Sequence, residues 1–117
     1  MYKVVHFFKR RDGLTMEDFV AYYEKAHTKF VKHIPGVRRY ARRYLTRNLR
    51  RSGAGVDFDV MTELWYDDRA AYEAALAALR APHMAETVAA IIADEEKLFD
   101  RAASRMYAFE EFETDLR

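Results

Sequence analysis

The chain has 117 residues, a formal net charge of +1 and no cysteine, and half of its residues are hydrophobic. This length is typical of one domain, which we expect to span residues 1–117. The near-neutral charge argues against a nucleic-acid binder, and the absence of thiols excludes disulfides and cysteine-ligated zinc. No apolar run reaches the roughly 20 residues of a membrane span. We therefore expect a cytoplasmic protein with neither nucleic acid nor membrane as a partner.

The first third of the chain predicts a strand and a helix. Residues 2–10 are aromatic and β-branched, with apolar residues at both parities, and predict a strand covered on both faces. Thr15 stands three residues before Asp18, as in a capping box, and opens a helix over residues 16–32. One apolar face of this helix is formed by residues three and four positions apart: Phe19, Tyr22, Tyr23, Ala26, His27 and Phe30.

The rest of the chain predicts three strands and two helices. Alternating side chains predict strands over residues 37–45 and 58–66. The polar, basic, glycine-containing segment between them, residues 46–56, is expected to be a mobile loop. After these strands, residues 69–79 predict an alanine-rich helix that is capped by aspartate. A proline opens a second helix over residues 82–92, which charged helical turns continue. Residues 104–112 predict the last strand.

The order β-α-β-β-α-β defines the fold class. It is the order of the ferredoxin-like α+β fold, a four-stranded antiparallel sheet with helices on one face. Phe7, Met61 and Trp65 would lie on the other face, which is too apolar to remain in water. A second copy of the chain is the simplest cover, so we expect a homodimer.

A set of short segments spread over residues 2–112 resembles a known family. The segments are the strand at 2–9 followed by Gly13-Leu14-Thr15, the helix segment 19–27, Pro35-Gly36 with Tyr40, the run 62–68, and Ala93-Asp94-Glu95 before Phe99-Asp100. As a set they resemble the EthD family within the dimeric α+β barrel superfamily. Relatives often carry a small residue or proline and then Leu after the helix histidine, whereas Thr28-Lys29-Phe30 follows here.

The resemblance implies a homodimer whose two sheets form a barrel, with a pocket in each subunit between sheet and helices. It does not imply one activity. Similar proteins are linked to ether degradation, to cyclisation or dehydration of polyketides, or to no known role. Related barrels include cofactor-free monooxygenases and lactone isomerases, and some bind haem. The change after His27 implies that the pocket beside it differs in shape.

His27 and Tyr23 are the candidate catalytic residues. His27 lies on the apolar helix face, and an imidazole in an apolar pocket can move a proton near neutral pH. Such a group suits enolisation, dehydration or cyclisation of a carbonyl compound. Tyr23, one turn earlier, could orient a carbonyl or stabilise an oxyanion. Both side chains fit equally well as core residues whose polar atoms are satisfied.

Five residues are candidates for substrate binding: Phe8, Tyr40, Tyr44, Glu63 and Trp65. Tyr40 and Tyr44 share one face of their strand, which cross-strand packing explains as well as a pocket does. Glu63 needs a partner in a central strand, either a substrate or an arginine of the preceding strand. Its parity groups it with Trp65 on the face predicted for the dimer, which favours the arginine.

The sequence predicts no metal and no cofactor. His27 and His33 are six residues apart, on different helix faces, and no histidine has a second histidine at helical spacing. Seven arginines lie within residues 38–51 and could bind an acidic ligand or a nucleic-acid backbone. A solvated strand edge that resists aggregation explains them more simply.

Two functions remain open from the sequence. The first is a cofactor-independent enzyme of isomerase, cyclase, dehydratase or oxygenase type. It would act on a small aromatic or polyketide-like carbonyl compound by proton transfer at His27. The alternative is a non-catalytic protein that binds a small molecule for a degradation or biosynthesis pathway. A catalytic His27 should face an enclosed cavity with one free ring nitrogen, whereas a structural one should have both nitrogens bonded.

Overall fold

A computed structural model describes residues 1–49 and 57–117 of the chain. Within them, four antiparallel strands form one sheet in the order β2-β3-β1-β4. The strands are β1 (Tyr2–Phe8), β2 (Arg39–Tyr44), β3 (Val60–Tyr66) and β4 (Arg105–Phe109). The sheet confirms the predicted ferredoxin-like α+β class. Most of the loop predicted to be mobile, residues 46–56, lies outside the described residues.

Three α-helices pack on one face of this sheet: α1 (Met16–Lys25), α2 (Arg69–Leu79) and α3 (Ala85–Leu98). The Thr15 hydroxyl accepts a hydrogen bond from the Asp18 N–H at 3.1 Å, which confirms the predicted helix start. Asp68 caps α2 in the same way, at 2.7 Å from the Ala71 N–H.

The first helix departs from its predicted length. α1 ends at Lys25, and His27–His33 continues as a 3-10 helix. The hydroxyl of Thr28 donates to the Glu24 carbonyl at 2.8 Å. That carbonyl is the acceptor which the N–H of residue 28 would use in a continuous α-helix, so the side chain competes with the helix ladder. His27 is therefore the first residue of a tighter turn.

The core lies between the helices and the sheet in two clusters. Phe19 and Tyr23 of α1 are almost fully buried against Phe8, Val60 and the end of α3. The second cluster joins β1 and β3 to α2 and consists of Val4, Leu64, Tyr66 and Ala75. Each buried aromatic ring removes a large apolar area from water, and these rings hold α1 against the sheet.

We call the opposite side of the sheet the open face. It carries the side chains of the other strand parity, namely Lys3, Val5, Phe7, Arg39, Ala41, Arg43, Met61, Glu63, Trp65, Arg105, Tyr107 and Phe109. Tyr107 and Phe109 are half-exposed there. Phe7, Met61 and Trp65 thus lie together on the face without helices, as predicted from their parity.

Among the described residues no single helix is long and apolar enough to cross a membrane. Only the pair Arg69–Leu79 and Pro82–Leu98, bent by 73°, meets that test of length and composition.

Candidate active site

A cavity of about 160 Å³ lies between the sheet and the helices. Strand alternation directs Val4, His6 and Phe8 of β1 into it, together with Thr62 and Leu64 of β3. The wall opposite the sheet comes from the three helices and from the 3-10 segment that begins at His27, and it is mostly apolar. A dry cavity of about 150 Å³ is large enough to hold benzene, so this one fits roughly one aromatic ring.

His27 and Asp94 form a buried pair at the wall of the cavity. The His27 side chain is 9% exposed, and its Nδ1 lies 2.7 Å from Oδ2 of Asp94 on α3. Tyr22 donates a hydrogen bond to the other carboxyl oxygen of Asp94 and so fixes its orientation. Because a carboxylate accepts but does not donate, this geometry assigns the proton to Nδ1.

The second nitrogen of the His27 ring is left unpaired. Among residues 1–49 and 57–117, the hydrogen bond at Nδ1 is the only one that the His27 ring makes. The rings of Tyr23, Phe30 and Phe99 surround the imidazole at centroid distances of 5.2, 5.7 and 5.6 Å. Nε2 therefore offers a lone pair at an apolar cavity, in a ring that packing and Asp94 hold in place.

Three hydroxyl groups form a chain along another wall of the cavity. The Tyr40 hydroxyl donates to the Tyr23 hydroxyl at 3.5 Å, and the Tyr23 hydroxyl lies 2.7 Å from Oγ1 of Thr62. Burial, and then the neighbouring Tyr40, raises the pKa of Tyr23 well above its usual value. Tyr23 is therefore a neutral phenol, and either hydroxyl of the Tyr23–Thr62 pair can be the donor.

The structure brings only part of the predicted substrate-binding set to the cavity. Phe8 and Tyr40 line it, whereas Tyr44 packs against Phe19 and Tyr23 and donates its hydroxyl to Glu24. Tyr44 points toward the helices like Tyr40 but lies beyond the end of the cavity.

Glu63 and Trp65 lie on the open face, away from the cavity, because strand alternation sends their side chains opposite to Thr62 and Leu64. Glu63 pairs with Arg43 at 2.7 Å, the arginine partner that its parity favoured. Trp65 lies beneath Lys3, whose Nζ is 3.7 Å from the ring centroid. The expectation that these two share the pocket with His27 is corrected accordingly.

Sequence reasoning missed four polar residues of the site: His6, Thr62, Asp94 and Glu95. His6 is two residues from Val4 and Phe8, and Thr62 is two residues from Leu64. These apolar neighbours have the same parity and face the cavity, so the strand pattern contained a signal for both polar residues. The residues at 94–96 resemble a solvated charged turn, yet Asp94 is four residues before the buried Leu98 on the inner face of α3. Nothing in the sequence couples Asp94 to His27.

The pKa values of two of these residues, His6 and Glu95, are shifted. Burial lowers the pKa of His6 to about 4, so its ring is neutral near pH 7. Burial raises the pKa of Glu95, although the nearby His27 and Arg101 act in the opposite direction. Among the described residues, no three His, Asp or Glu side chains come together as a metal site.

Solved structures share this fold over almost their whole length. An EthD family protein from Bacillus halodurans C-125 is 19% identical, with a TM-score of 0.66 over 96% of this chain and 99% of that one. A dimeric ferredoxin-like protein of unknown function from Thermobifida fusca YX is 18% identical, with a TM-score of 0.57 over 92% and 88%. SnoaB, a cofactor-independent oxygenase from Streptomyces nogalater, is 17% identical, with a TM-score of 0.54 over 99% and 97%. At these identities the likeness establishes the fold alone.

Comparison of the sequence with family models identifies the family. No curated protein matches the chain. The model of the EthD domain matches residues 11–102, a segment that includes α1, the 3-10 turn of His27 and all of α3. This segment covers most of the chain and contains both members of the His27–Asp94 pair. The chain therefore belongs to the EthD family.

Proposed function

We propose that the cavity is the active site of a cofactor-independent enzyme, in which His27 moves a proton on a small aromatic or polyketide-like carbonyl compound. One observation carries the proposal. His27 Nδ1 is held by Asp94 at 2.7 Å, while Nε2 has no partner among residues 1–49 and 57–117 and meets an apolar cavity. A histidine kept only for structure would have both nitrogens bonded to the protein.

The pair is suited to a general base. Nε2 would take a proton from the carbon beside the carbonyl, and the imidazolium that forms would lie against the Asp94 carboxylate. That carboxylate is buried with the ring, where a charge pair is stronger than in water. Asp94 thus acts through His27 by fixing its tautomer and stabilising its charged form.

The hydroxyl chain supplies the second half of the reaction. Removal of the proton places negative charge on the carbonyl oxygen, which needs a donor that does not itself ionise. When Tyr23 donates to the Thr62 oxygen, the Thr62 hydroxyl has a free proton for a ligand, and both residues line the cavity. Tyr23 is therefore proposed to position Thr62, and Thr62 to bind the substrate oxygen.

The substrate class follows from the cavity. Its volume of about 160 Å³ suits one ring, and Phe8, Tyr40 and Phe30 are among the side chains that would pack on it. Isomerases, cyclases, dehydratases and cofactor-independent oxygenases all need such an apolar pocket with a base. The likeness to the oxygenase SnoaB supports this broad class.

The open face supports a homodimer. Tyr107 and Phe109 are half-exposed beside Phe7 and Trp65, an apolar surface that favours association. The similar protein from Thermobifida fusca is described as dimeric. We propose that a second copy covers the open face, with the cavity of each subunit on the side away from this interface.

Hydrogen exchange tests the proposed function. Phenylacetone carries one ring and a ketone with exchangeable α-hydrogens, and their replacement by deuterium in D₂O can be followed by proton NMR. Wild-type protein is expected to accelerate the exchange, and His27→Ala to reduce it to the rate without protein, since a general base contributes about 10²- to 10⁴-fold. The control is His83→Ala, which removes an exposed histidine between α2 and α3.

The two candidate functions predict different outcomes. If the His27→Ala protein is folded and exchanges the α-hydrogens at the wild-type rate, His27 is not the base. Wild-type protein that binds phenylacetone without exchanging its hydrogens would favour the alternative, a non-catalytic binding protein for the same kind of molecule.

A further inference from the structure

Glu95 lies where the cavity opens toward the surface. It lines the 160 Å³ cavity together with His27, and it also lines an outer groove of about 230 Å³. The two spaces share His6, Phe8, Glu95 and Met106, so a ligand that fills the cavity and leaves through the groove passes the Glu95 carboxyl.

Several charged or titratable groups face Glu95. Arg101, in the turn before β4, donates from Nε to its Oε2 at 3.2 Å. His27 and Tyr40 act on it through space from the first 3-10 segment and from β2, and Asp94 is its neighbour on α3. His6 of β1 lines both of the same spaces and is neutral near pH 7.

The environment of Glu95 favours its protonated form more than an exposed carboxyl would. Its side chain is 24% exposed, and burial outweighs His27 and Arg101 in setting the direction of its pKa, which is raised. Glu96, the next residue, is 65% exposed and lies farther from Arg101, at 4.0 Å. Of these two adjacent glutamates, Glu95 lines the cavity and Glu96 does not.

We propose that Glu95 is the acid of this site and that it protonates the hydroxyl group leaving from the β-carbon of a small β-hydroxycarbonyl compound. The inference rests on the proposed function of His27 as base. It adds a second catalytic residue and narrows the reaction to the elimination of water.

The step balances with the groups on the cavity wall. His27 Nε2 takes the proton from the α-carbon, and the electrons of that C–H bond form the C=C double bond. The C–O bond at the β-carbon breaks, and its electron pair leaves with the oxygen, which takes the proton of the Glu95 carboxyl and departs as water. The Glu95 carboxylate then remains beside Arg101, and the His27 imidazolium beside Asp94.

The geometry explains why two groups are needed. Hydroxide is a poor leaving group, so elimination requires a proton donor at the β-oxygen as well as a base at the α-carbon. His27 and Glu95 line one small cavity from different elements, and they are close enough to act on each other electrostatically, so one ligand can contact both. Arg101 stabilises the carboxylate that Glu95 becomes.

One substrate separates the two residues experimentally. In D₂O, 4-hydroxy-4-phenylbutan-2-one exchanges its α-hydrogens when a base acts, and loses water to an absorbing enone when base and acid both act. Glu95→Gln is expected to lower the rate of enone formation about 10²-fold or more and to lower the rate of α-exchange far less, because α-exchange needs no proton donor at the β-oxygen. Glu96→Gln, the matched control, should change neither rate.

Each outcome decides the inference. The inference is overturned if Glu95→Gln forms the enone at the wild-type rate, or if it loses α-exchange and enone formation to the same extent. It is also overturned if Glu96→Gln loses enone formation as much as Glu95→Gln does. Wild-type protein that exchanges hydrogens but forms no enone would also overturn it and leave the proposed function standing. If the wild-type protein does neither, the proposed function fails and the inference with it. Thermal unfolding of Glu95→Gln and Glu96→Gln checks that both variants are folded.

Discussion

The buried polar groups on the two faces of the sheet differ in how their hydrogen bonds are satisfied. On the open face, Glu63 is paired with Arg43 at 2.7 Å and Lys3 with Glu111, whereas the buried Nε1 of Trp65 has no hydrogen-bond partner among the described residues and does not line the cavity. On the helix face, His27 is bonded to Asp94 through one nitrogen and keeps the other at the cavity. Both faces belong to the same strands, and alternation alone separates them.

This difference separates a structural role from a chemical one. A buried group whose hydrogen bonds are all made within the protein stabilises one arrangement and offers nothing to a ligand. A buried group with one unpaired atom at an apolar cavity is held ready to bind or to move a proton. The open face therefore suits an interface, and the helix face suits an active site.

Asp94→Asn should have the largest effect on the helix face. The amide can donate to Nδ1, which would move the imidazole proton to Nε2 and remove the base. We expect the exchange of phenylacetone to fall about 10²- to 10⁴-fold while thermal unfolding shows a folded protein. Asp100→Asn, an exposed change at the end of α3, is the control. Exchange at the wild-type rate in Asp94→Asn would contradict the role given to the pair.

A pH titration of stability tests the burial of His6. The unfolded chain takes up a proton at His6 near its ordinary pKa of 6.5, whereas the folded protein does so only near 4. The unfolded state thus binds more protons between these values, so stability falls as the pH falls, by at most about 3 kcal/mol from this group. His6→Leu should show a smaller loss between pH 7 and pH 4 in urea unfolding. Equal losses would show that His6 is not desolvated.

The hydroxyl chain predicts a smaller effect on exchange. Thr62→Val removes the donor proposed for the substrate oxygen and leaves the Tyr23 hydroxyl without its acceptor. One such hydrogen bond is worth about 1 kcal/mol, so we expect exchange to slow by about fivefold. Thr62→Ser keeps the hydroxyl and should retain most of the rate. A Thr62→Ser protein as slow as Thr62→Val would point to packing instead.

The open face predicts the smallest effect. Arg43 is 48% exposed, so Arg43→Met should cost less than about 1 kcal/mol of unfolding free energy at pH 7. Burial opposes ionisation of Glu63, but Arg43 and Lys3 lower its pKa, so this contribution is present at neutral pH and is lost as the pH falls through that pKa. Exchange of phenylacetone should be unchanged in Arg43→Met, and Arg43→Lys should keep part of the stability. A slower exchange would link the open face to the active site.

Much of the fold is predictable from the sequence because its signals are local. Aromatic and β-branched composition located β1, and alternation located the other three strands. Thr15 and Asp68 cap their helices as their positions predict. The end of α1 was not predictable in this way. It depends on the hydrogen bond from the Thr28 hydroxyl to the Glu24 carbonyl, which competes with a continuous helix. The cytoplasmic location and the extent of the domain stay predictions.

The site was only partly predictable because its polar contacts join distant segments. His27, Tyr23, Phe8 and Tyr40 line the cavity, as strand and helix periodicity indicates. Asp94 lies 67 residues after its partner, and no local spacing predicts that pair. The same holds for the contact of Tyr23 with Thr62, which requires α1 to be docked on β3.

The state of the His27 ring tests the central claim most directly. Nitrogen-15 NMR of labelled protein, assigned by comparison with His27→Gln, distinguishes a protonated ring nitrogen from an unprotonated one. We predict that the neutral ring carries its proton on Nδ1, and that addition of phenylacetone shifts the resonance of unprotonated Nε2. A proton on Nε2, or an Nε2 resonance that phenylacetone leaves unchanged, would contradict the assignment of His27 as the base.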